Sequence, residues 1–212
     1  RCQQTETAQG TSIRINSLDF DKQQTKSDYL VVGGVLDNVC NSACQTCNAT
    51  LSTKIGSLQN QHHIRIDNSV DFWRLPLDRI VHLDINGGEP SASKNYKHLL
   101  ANMPNSVKSL RLNTNCSKVM TELIDLVDRG IKVTVTVSLD GIDHIHNYLR
   151  WPIDFKDFER NLLLYQQMNV ELNTWTTVSA LNIGDLKNIF NFVQTHKLQH
   201  SWALLHDPDV LS

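Results

Sequence analysis

Three cysteines that stand close together are the residues of this chain best suited to do chemistry. Cys40, Cys44 and Cys47 have the spacing C-x3-C-x2-C and come directly after an apolar run that reads as a strand. Thiolates are soft ligands that bind zinc or iron–sulfur clusters. A structural zinc ion and a ferredoxin-type cluster each take four ligands, and no histidine follows at a zinc-finger spacing. Three thiolates on a four-iron cluster would leave one iron open to an external ligand.

Short polar segments follow the other predicted strands, at the point where each strand ends. They contain Gly87, Gly88, Glu89, Asn113, Ser138, Asp140, Ser179, Asn182, His206 and Asp207. Taken singly, each segment is an ordinary polar strand end. In a barrel of parallel strands, however, the carboxyl ends share one face, and active sites form there. The pattern therefore predicts that these residues and the three cysteines converge on one site.

Strands alternate with helices along most of the chain. Apolar or alternating runs predict six strands, over 29–36, 79–85, 109–112, 131–138, 170–178 and 201–205. Helices are predicted over 91–103, 118–129, 154–168 and 185–196, with Asp154 and Gly130 as capping residues. This alternation favours an α/β fold of parallel strands, either a partial (β/α)6 barrel or a flat doubly wound sheet.

Composition excludes several classes of protein. The 212 residues are 40% hydrophobic, as in a globular domain, and no apolar run approaches the ~20 residues of a membrane span. The net charge of −2 gives no basic field, so no nucleic-acid partner is indicated. Five cysteines, three of them crowded together, favour ligands over a disulfide framework, which predicts a reducing compartment and hence the cytoplasm.

The motifs resemble those of the radical S-adenosylmethionine (SAM) superfamily. The resemblance rests on the cysteine motif, on Gly-Gly-Glu-Pro at 87–90 and on Ser-Leu-Asp-Gly at 138–141, and it covers about residues 29–211. It implies a partial (β/α)6 barrel and an enzyme that reductively cleaves SAM at a 4Fe–4S cluster. The product of this cleavage is a 5′-deoxyadenosyl radical, which abstracts a hydrogen atom from a substrate. In such enzymes the protein positions and shields chemistry that the cofactor supplies.

The resemblance also assigns roles by position. The three cysteines would bind the cluster, and SAM would be bound by Gly87, Gly88, Glu89, Asn113, Ser138, Asp140, Ser179 and Asn182. Within that set, the Gly-Gly-Glu segment would hold the SAM amino group. The residues after the fourth strand would reach the ribose or carboxylate, and the segment 179–182 would lie near the adenine.

Two positions depart from the family pattern. Thr46 stands before the last cysteine, where an aromatic residue is frequent in the family, and it would weaken one packing contact near the cluster. Cys116 stands where the segment after the third strand often has glycine, and the expectation for it is a half-buried free thiol.

Residues 1–28 are polar and predict a short helix and linker ahead of a barrel at 29–212. Cys2 and its neighbours resemble the end of a cysteine-rich segment that binds an auxiliary cluster in radical SAM proteins of the SPASM and twitch groups. Residues 1–28 would then be the remnant of a cluster-binding extension. A stray cysteine at the start of an expressed fragment is the alternative. Because the chain begins at Arg1, its natural start is expected to lie upstream.

The resemblance also indicates partners. Relatives of the SPASM and twitch groups often modify peptides, so the expected partners are SAM, a peptide or small-molecule substrate, and an electron donor such as a flavodoxin or ferredoxin. Two functions without turnover stay open: a binding module stabilised by zinc or an iron–sulfur cluster, and an electron carrier without SAM chemistry. Neither explains why Glu89, Ser138 and Asp140 all stand at strand ends.

Overall fold

The computed structural model describes residues 28–205. Within this part of the chain six strands form one sheet in sequential order: β1 (Leu30–Val35), β2 (Ile80–Asn86), β3 (Ser109–Thr114), β4 (Lys132–Ser138), β5 (Glu171–Val178) and β6 (Gln199–Leu204). The pairings from β2 to β6 are all parallel. A doubly wound sheet would reverse its strand order, and this sheet does not. The α/β fold with a partial barrel of parallel strands is therefore confirmed.

Seven α-helices lie between the described strands: α1 (Thr53–Leu58), α2 (Ser69–Trp73), α3 (Lys94–Ala101), α4 (Glu122–Asp128), α5 (Asp143–Leu149), α6 (Phe155–Gln166) and α7 (Leu186–Thr195). The sequence did not indicate α1, α2 and α5, which have five to seven residues each and no longer run of helical spacing around them. No helix in residues 28–205 is both long and apolar enough to cross a bilayer.

The predicted helix starts at 91 and 118 are wrong, because α3 begins at Lys94 and α4 at Glu122. Before α3, residues Pro90–Ala92 form a 3-10 turn, and the Ser93 side chain then accepts hydrogen bonds from the backbone amides of the first turn of α3. Such an N-cap satisfies donors that have no partner within the helix, and it fixes where the helix begins.

Both predicted caps are confirmed. The Asp154 carboxylate accepts a hydrogen bond of 2.9 Å from the Lys156 amide at the start of α6. Gly130 follows α4 with φ +79°, a left-handed conformation that glycine adopts without a Cβ penalty. The amides of Gly130 and Ile131 donate to the carbonyls of Val127 (2.8 Å) and Leu126 (3.0 Å), as in a Schellman motif.

The two faces of the sheet differ in polarity. Apolar side chains at alternate positions of the strands are buried, among them Leu83, Ile85, Leu110, Leu112, Val133, Val135 and Val137. The intervening positions are polar and line a cleft of about 380 Å³ along the inner face, among them Asp84, Asn86, Arg111, Asn113 and Thr136. Alternation along a strand places successive side chains on opposite faces, so the apolar set forms the core and the polar set forms an inner wall.

Candidate active site

The three cysteines lie in the loop between β1 and α1. Cys40, Cys44 and Cys47 are half-buried, and all three line a cleft of about 350 Å³ together with residues at the carboxyl ends of the strands. Ser42 Oγ lies 3.3 Å from the sulfur of Cys40 and 3.5 Å from that of Cys44. These two sulfurs therefore flank a common point in the cleft.

Backbone hydrogen bonds join this loop to the end of α5 and the residues directly after it. The Ala43 amide donates to the Trp151 carbonyl (2.7 Å), and the Gln45 amide donates to the Leu149 carbonyl (2.9 Å). Both bonds flank Cys44, so its position depends on the end of α5 as well as on its own loop.

The donor set fits a four-iron cluster. In such a cluster each cysteine binds a different iron, so the sulfurs need to border one cavity rather than meet at one point. Among residues 28–205, no group of three or more His, Cys, Asp or Glu side chains is placed so that it could hold a single metal ion. Burial raises the pKa of the Cys40 thiol and raises that of Cys47 to about 11. Binding iron as thiolates would therefore release protons.

The structure separates the predicted SAM-binding residues into two groups. Gly87, Gly88, Asn113 and Ser138 line the cysteine cleft. The other four, Glu89, Asp140, Ser179 and Asn182, are buried and lie behind its wall. Their predicted contacts with SAM stay predictions.

Glu89 is 1% exposed, and both carboxylate oxygens are hydrogen-bonded within the protein. Oε1 accepts from the amide (3.0 Å) and hydroxyl (2.7 Å) of Ser91 and from the Thr114 hydroxyl (2.8 Å). Oε2 accepts from the Asn115 amide at 2.6 Å. The carboxylate therefore joins the turn after β2 to the end of β3.

Replacing Glu89 with glutamine should destabilise the protein by about 1–3 kcal/mol, because the new amide NH2 would face donors that now bond a carboxylate oxygen. Urea unfolding measures the change. The matched control is Glu159→Gln, whose carboxylate lies 3.4 Å from the His196 ring at a site that is 40% exposed; it should change stability by no more than about 0.5 kcal/mol. Equal stability of the two variants would contradict a linking role for Glu89.

The two glycines before Glu89 are required by a close approach of two backbone segments. Gly88 has φ +54°, and a Cβ there would lie 2.3 Å from the Val39 carbonyl oxygen. The Glu89 amide also donates to that oxygen, at 2.7 Å. Val39 directly precedes Cys40, so the turn after β2 fits against the cysteine loop. This close approach is a packing reason for glycine here, and the predicted contact of Gly87 and Gly88 with the SAM amino group stays a prediction.

Asp140 forms a buried ion pair that the sequence did not indicate. Its Oδ2 lies 2.6 Å from Nη1 of Arg150, and its Oδ1 accepts a hydrogen bond from the Thr177 amide at 2.8 Å. The Arg150 side chain is 12% exposed and lines the cysteine cleft. Its only signal in the sequence is a single basic residue within an otherwise uncharged stretch at 148–152.

Ser179 and Asn182 form a turn that joins the loops after β4 and β5. The Asn182 side-chain oxygen accepts from the Ser179 amide (2.8 Å), and its NH2 group donates to the carbonyls of Asp140 (2.8 Å) and Thr177 (2.9 Å). Both residues therefore fix backbone behind the cleft. Cys2, His206 and Asp207, and the predicted helix and linker of residues 1–28, lie outside the described residues except for position 28 itself.

Cys116 is fully buried, so the expected half-buried thiol is wrong. Its sulfur lies 3.7 Å from the Phe158 carbonyl oxygen, and burial raises the pKa of its thiol. Its φ of +59° is left-handed, which gives a physical reason for glycine at this position in the family pattern. Thr46, the other departure, lines the cysteine cleft.

His146 on α5 is fully buried, and neither ring nitrogen has a hydrogen-bond partner. Its ring packs against those of Phe155 and Phe158, at centroid distances of 5.3 and 4.5 Å. Burial and the Arg150 charge lower the pKa of His146 to about 3, although the Gly141 backbone and the Asp154 charge oppose this shift. The ring is therefore neutral at physiological pH.

We expect His146 to weaken the fold in mild acid. The His146 ring of the folded protein is protonated only near pH 3, whereas in the unfolded chain it is protonated near pH 6.5. The free energy of unfolding therefore falls as the pH drops below 6.5, by about 2 kcal/mol at pH 5. His146→Leu should remove this part of the slope without destabilising the protein at pH 7.5. Urea unfolding at both pH values tests this, with exposed His144→Leu as the control that keeps the slope. An unchanged slope in His146→Leu would contradict it.

The chain is similar to proteins of known identity. No family model matches it. The Sporulation killing factor maturation protein SkfB of Bacillus subtilis (strain 168) is 21% identical over 156 residues, which cover 73% of this chain and 37% of SkfB. The structure of Streptococcus suis SuiB bound to the precursor peptide SuiA superposes with a TM-score of 0.63 at 14% identity, covering 95% of this chain and 45% of SuiB. The structure of anSMEcpe with bound AdoMet and Cp18Cys peptide gives 0.60 at 18%, covering 83% and 51%.

These comparisons show the fold, and the chain spans about a third to a half of the length of the proteins it matches. The partial barrel of this chain therefore has the fold of the SuiB and anSMEcpe structures. The fold that the radical SAM resemblance implied is thus confirmed, and the similarity to these proteins supports the resemblance itself.

Proposed function

We propose that this chain is the barrel of a radical SAM enzyme that modifies a peptide. The observation that carries this proposal is the convergence of the three cysteines, Gly87, Gly88, Asn113 and Ser138 on one cleft at the carboxyl ends of parallel strands. A bound 4Fe–4S cluster would supply the reductive cleavage of SAM to a 5′-deoxyadenosyl radical for hydrogen abstraction. The protein would hold the cluster, orient SAM beside it and shield the radical from competing reactions.

The residues around the cleft match the groups of SAM. Backbone carbonyls of Gly87 and Gly88 would accept hydrogen bonds from its ammonium group, and the Glu89 charge behind the turn would favour that cation. The Asn113 amide and the Ser138 hydroxyl are suited to its carboxylate or ribose. Asp140 and the Ser179–Asn182 turn would act from behind, by fixing the backbone that borders the ribose and adenine.

The inner wall of the barrel offers room for a substrate beside SAM. The cleft of about 380 Å³ on the inner face shares Asn86, Asn113 and Ser138 with the cysteine cleft. It is otherwise lined by hydrogen-bonding side chains and by Trp175, which is 39% exposed. Amide and hydroxyl groups pair well with a peptide backbone, and the structures of SuiB with SuiA and of anSMEcpe with a peptide support a peptide here.

The sequence supports three further proposals, on an auxiliary cluster, an electron donor and the cellular compartment. Cys2 would be a ligand of an auxiliary cluster of the SPASM or twitch kind, in an extension over residues 1–28 ahead of the barrel at 29–212. Reduction would need a donor such as a flavodoxin or ferredoxin. The clustered free thiols favour the cytoplasm.

The test is product analysis on the full-length protein. After anaerobic reconstitution with iron and sulfide, addition of SAM and dithionite should yield 5′-deoxyadenosine, and none should form without reductant. Stoichiometric zinc without SAM binding would instead favour the binding module. A redox-active cluster that binds no SAM would favour the electron carrier. Either result would overturn the proposed function.

A further inference from the structure

Arg150 is held against the cysteine loop by the backbone on both of its sides. The residues before and after it, Leu149 and Trp151, accept the hydrogen bonds from Gln45 and Ala43 described above. Its side chain is 12% exposed and lines the cleft of the three cysteines. The guanidinium is therefore fixed with respect to Cys44 rather than free to swing into solvent.

The hydrogen bonds of this guanidinium are only partly satisfied within the protein. Nη1 donates to Asp140 at 2.6 Å, whereas the buried Nε has no hydrogen-bond partner. Leaving a buried donor of a charged group without a hydrogen bond costs free energy, and native structures normally place an acceptor next to such a donor. The sulfur atoms of a cluster or of its thiolate ligands are acceptors of this kind.

Among the described residues that line the cysteine cleft, Arg150 is the one cationic side chain. The guanidinium of arginine stays protonated in proteins, and its ion pair with Asp140 at 2.6 Å holds this charge at the cleft. His146, one helical turn earlier, is neutral at physiological pH, as shown above. Hydrogen bonds to cluster sulfurs and nearby charge are among the factors that set the reduction potential of an iron–sulfur cluster.

We propose that Arg150 is a positioning residue for the cluster, which donates N–H to sulfur and offsets negative charge so that the reduced state is favoured. This inference rests on the proposed function, because it requires the cluster. It goes beyond that function by assigning control of the reduction potential to a residue that binds no iron. Reduction adds one electron to the cluster, and a fixed cation nearby stabilises the added charge.

The experiment measures the midpoint potential of the reconstituted full-length protein without SAM, by redox titration followed by electron paramagnetic resonance. Arg150→Gln should titrate at a more negative potential than the wild type. Arg150→Gln leaves the buried Asp140 carboxylate without its partner and could unfold the protein. The double variant Asp140→Asn with Arg150→Gln therefore replaces the ion pair by two neutral side chains and should stay folded. Arg150→Lys keeps the charge but lacks Nε, and should shift the potential less in the same direction. The control is Arg160→Gln, which removes an exposed arginine paired with Asp157 and should leave the potential unchanged.

Loss of iron from folded Arg150 variants, with normal loading of the Arg160→Gln control, would also support the proposal. An unchanged potential in loaded Arg150→Lys and in the loaded double variant would overturn it while leaving the proposed function intact. Failure of the wild type to bind a cluster would overturn both. The iron content of the wild type therefore separates the two outcomes before any variant is compared.

Discussion

Replacing Cys44 with alanine should remove the bound iron from the reconstituted protein and leave the barrel folded. Changes in the groups around a metal site already cost 10–100-fold in affinity, so loss of a ligand should lower iron content by at least ~tenfold. The fold should persist, because its core consists of apolar side chains from strands and helices, unlike a zinc finger, which unfolds without its metal. Iron analysis and thermal unfolding of the metal-free variant measure the two effects.

Cys116→Ala serves as the control for that variant. Its thiol is buried in the core and does not line the cleft, so this variant should keep its iron and instead lose about 1 kcal/mol of stability. If metal-free Cys44→Ala lost its cooperative unfolding transition, the cysteine loop would be a structural metal site, and the cluster assignment would be wrong.

Replacing Gly88 with alanine should destabilise the protein by roughly 3–5 kcal/mol, near the upper end for single substitutions. The new Cβ would lie 2.3 Å from the carbonyl oxygen and 2.9 Å from the amide nitrogen of Val39. These are backbone atoms, which cannot rotate away as a side chain can, and φ of +54° adds strain. The cysteine loop would be displaced, so the iron content should fall as well.

Gly184→Ala is the matched glycine control, since a Cβ at that position meets nothing within 4 Å. It should change stability by no more than about 0.5 kcal/mol. Urea unfolding of the two variants gives the comparison. Wild-type stability in Gly88→Ala would mean that the turn after β2 and the cysteine loop are not packed as described.

The six strands were predictable because each carries its own signal. The segment Lys132–Ser138 alternates with a period of two, and the others are short apolar runs closed by polar or glycine-containing ends. The caps at Asp154 and Gly130 were equally local. The short helices α1, α2 and α5 were not predictable, since tertiary packing rather than their own periodicity stabilises them.

The site was predictable as a location but not as a set of contacts. Strand-end motifs indicated which residues converge, yet they carry no information on whether a side chain faces the cleft or the protein behind it. Glu89 shows this, because its oxygens are bonded to Ser91, Thr114 and Asn115. Arg150 and His146 were missed, because their environments arise from the packing of α5 against the cysteine loop and α6, which no local pattern encodes.

The two backbone bonds between the cysteine loop and the end of α5 make these segments a single unit in local unfolding. Ala43 and Gln45 supply the donors, and Trp151 and Leu149 supply the acceptors. Neither segment can open without breaking the bonds of the other, so the amides of Ala43 and Gln45 should exchange with solvent deuterium at one common rate. Binding of a cluster by the cysteines would slow that exchange. It would also reduce the local opening of the chain around residue 150, which itself binds no iron.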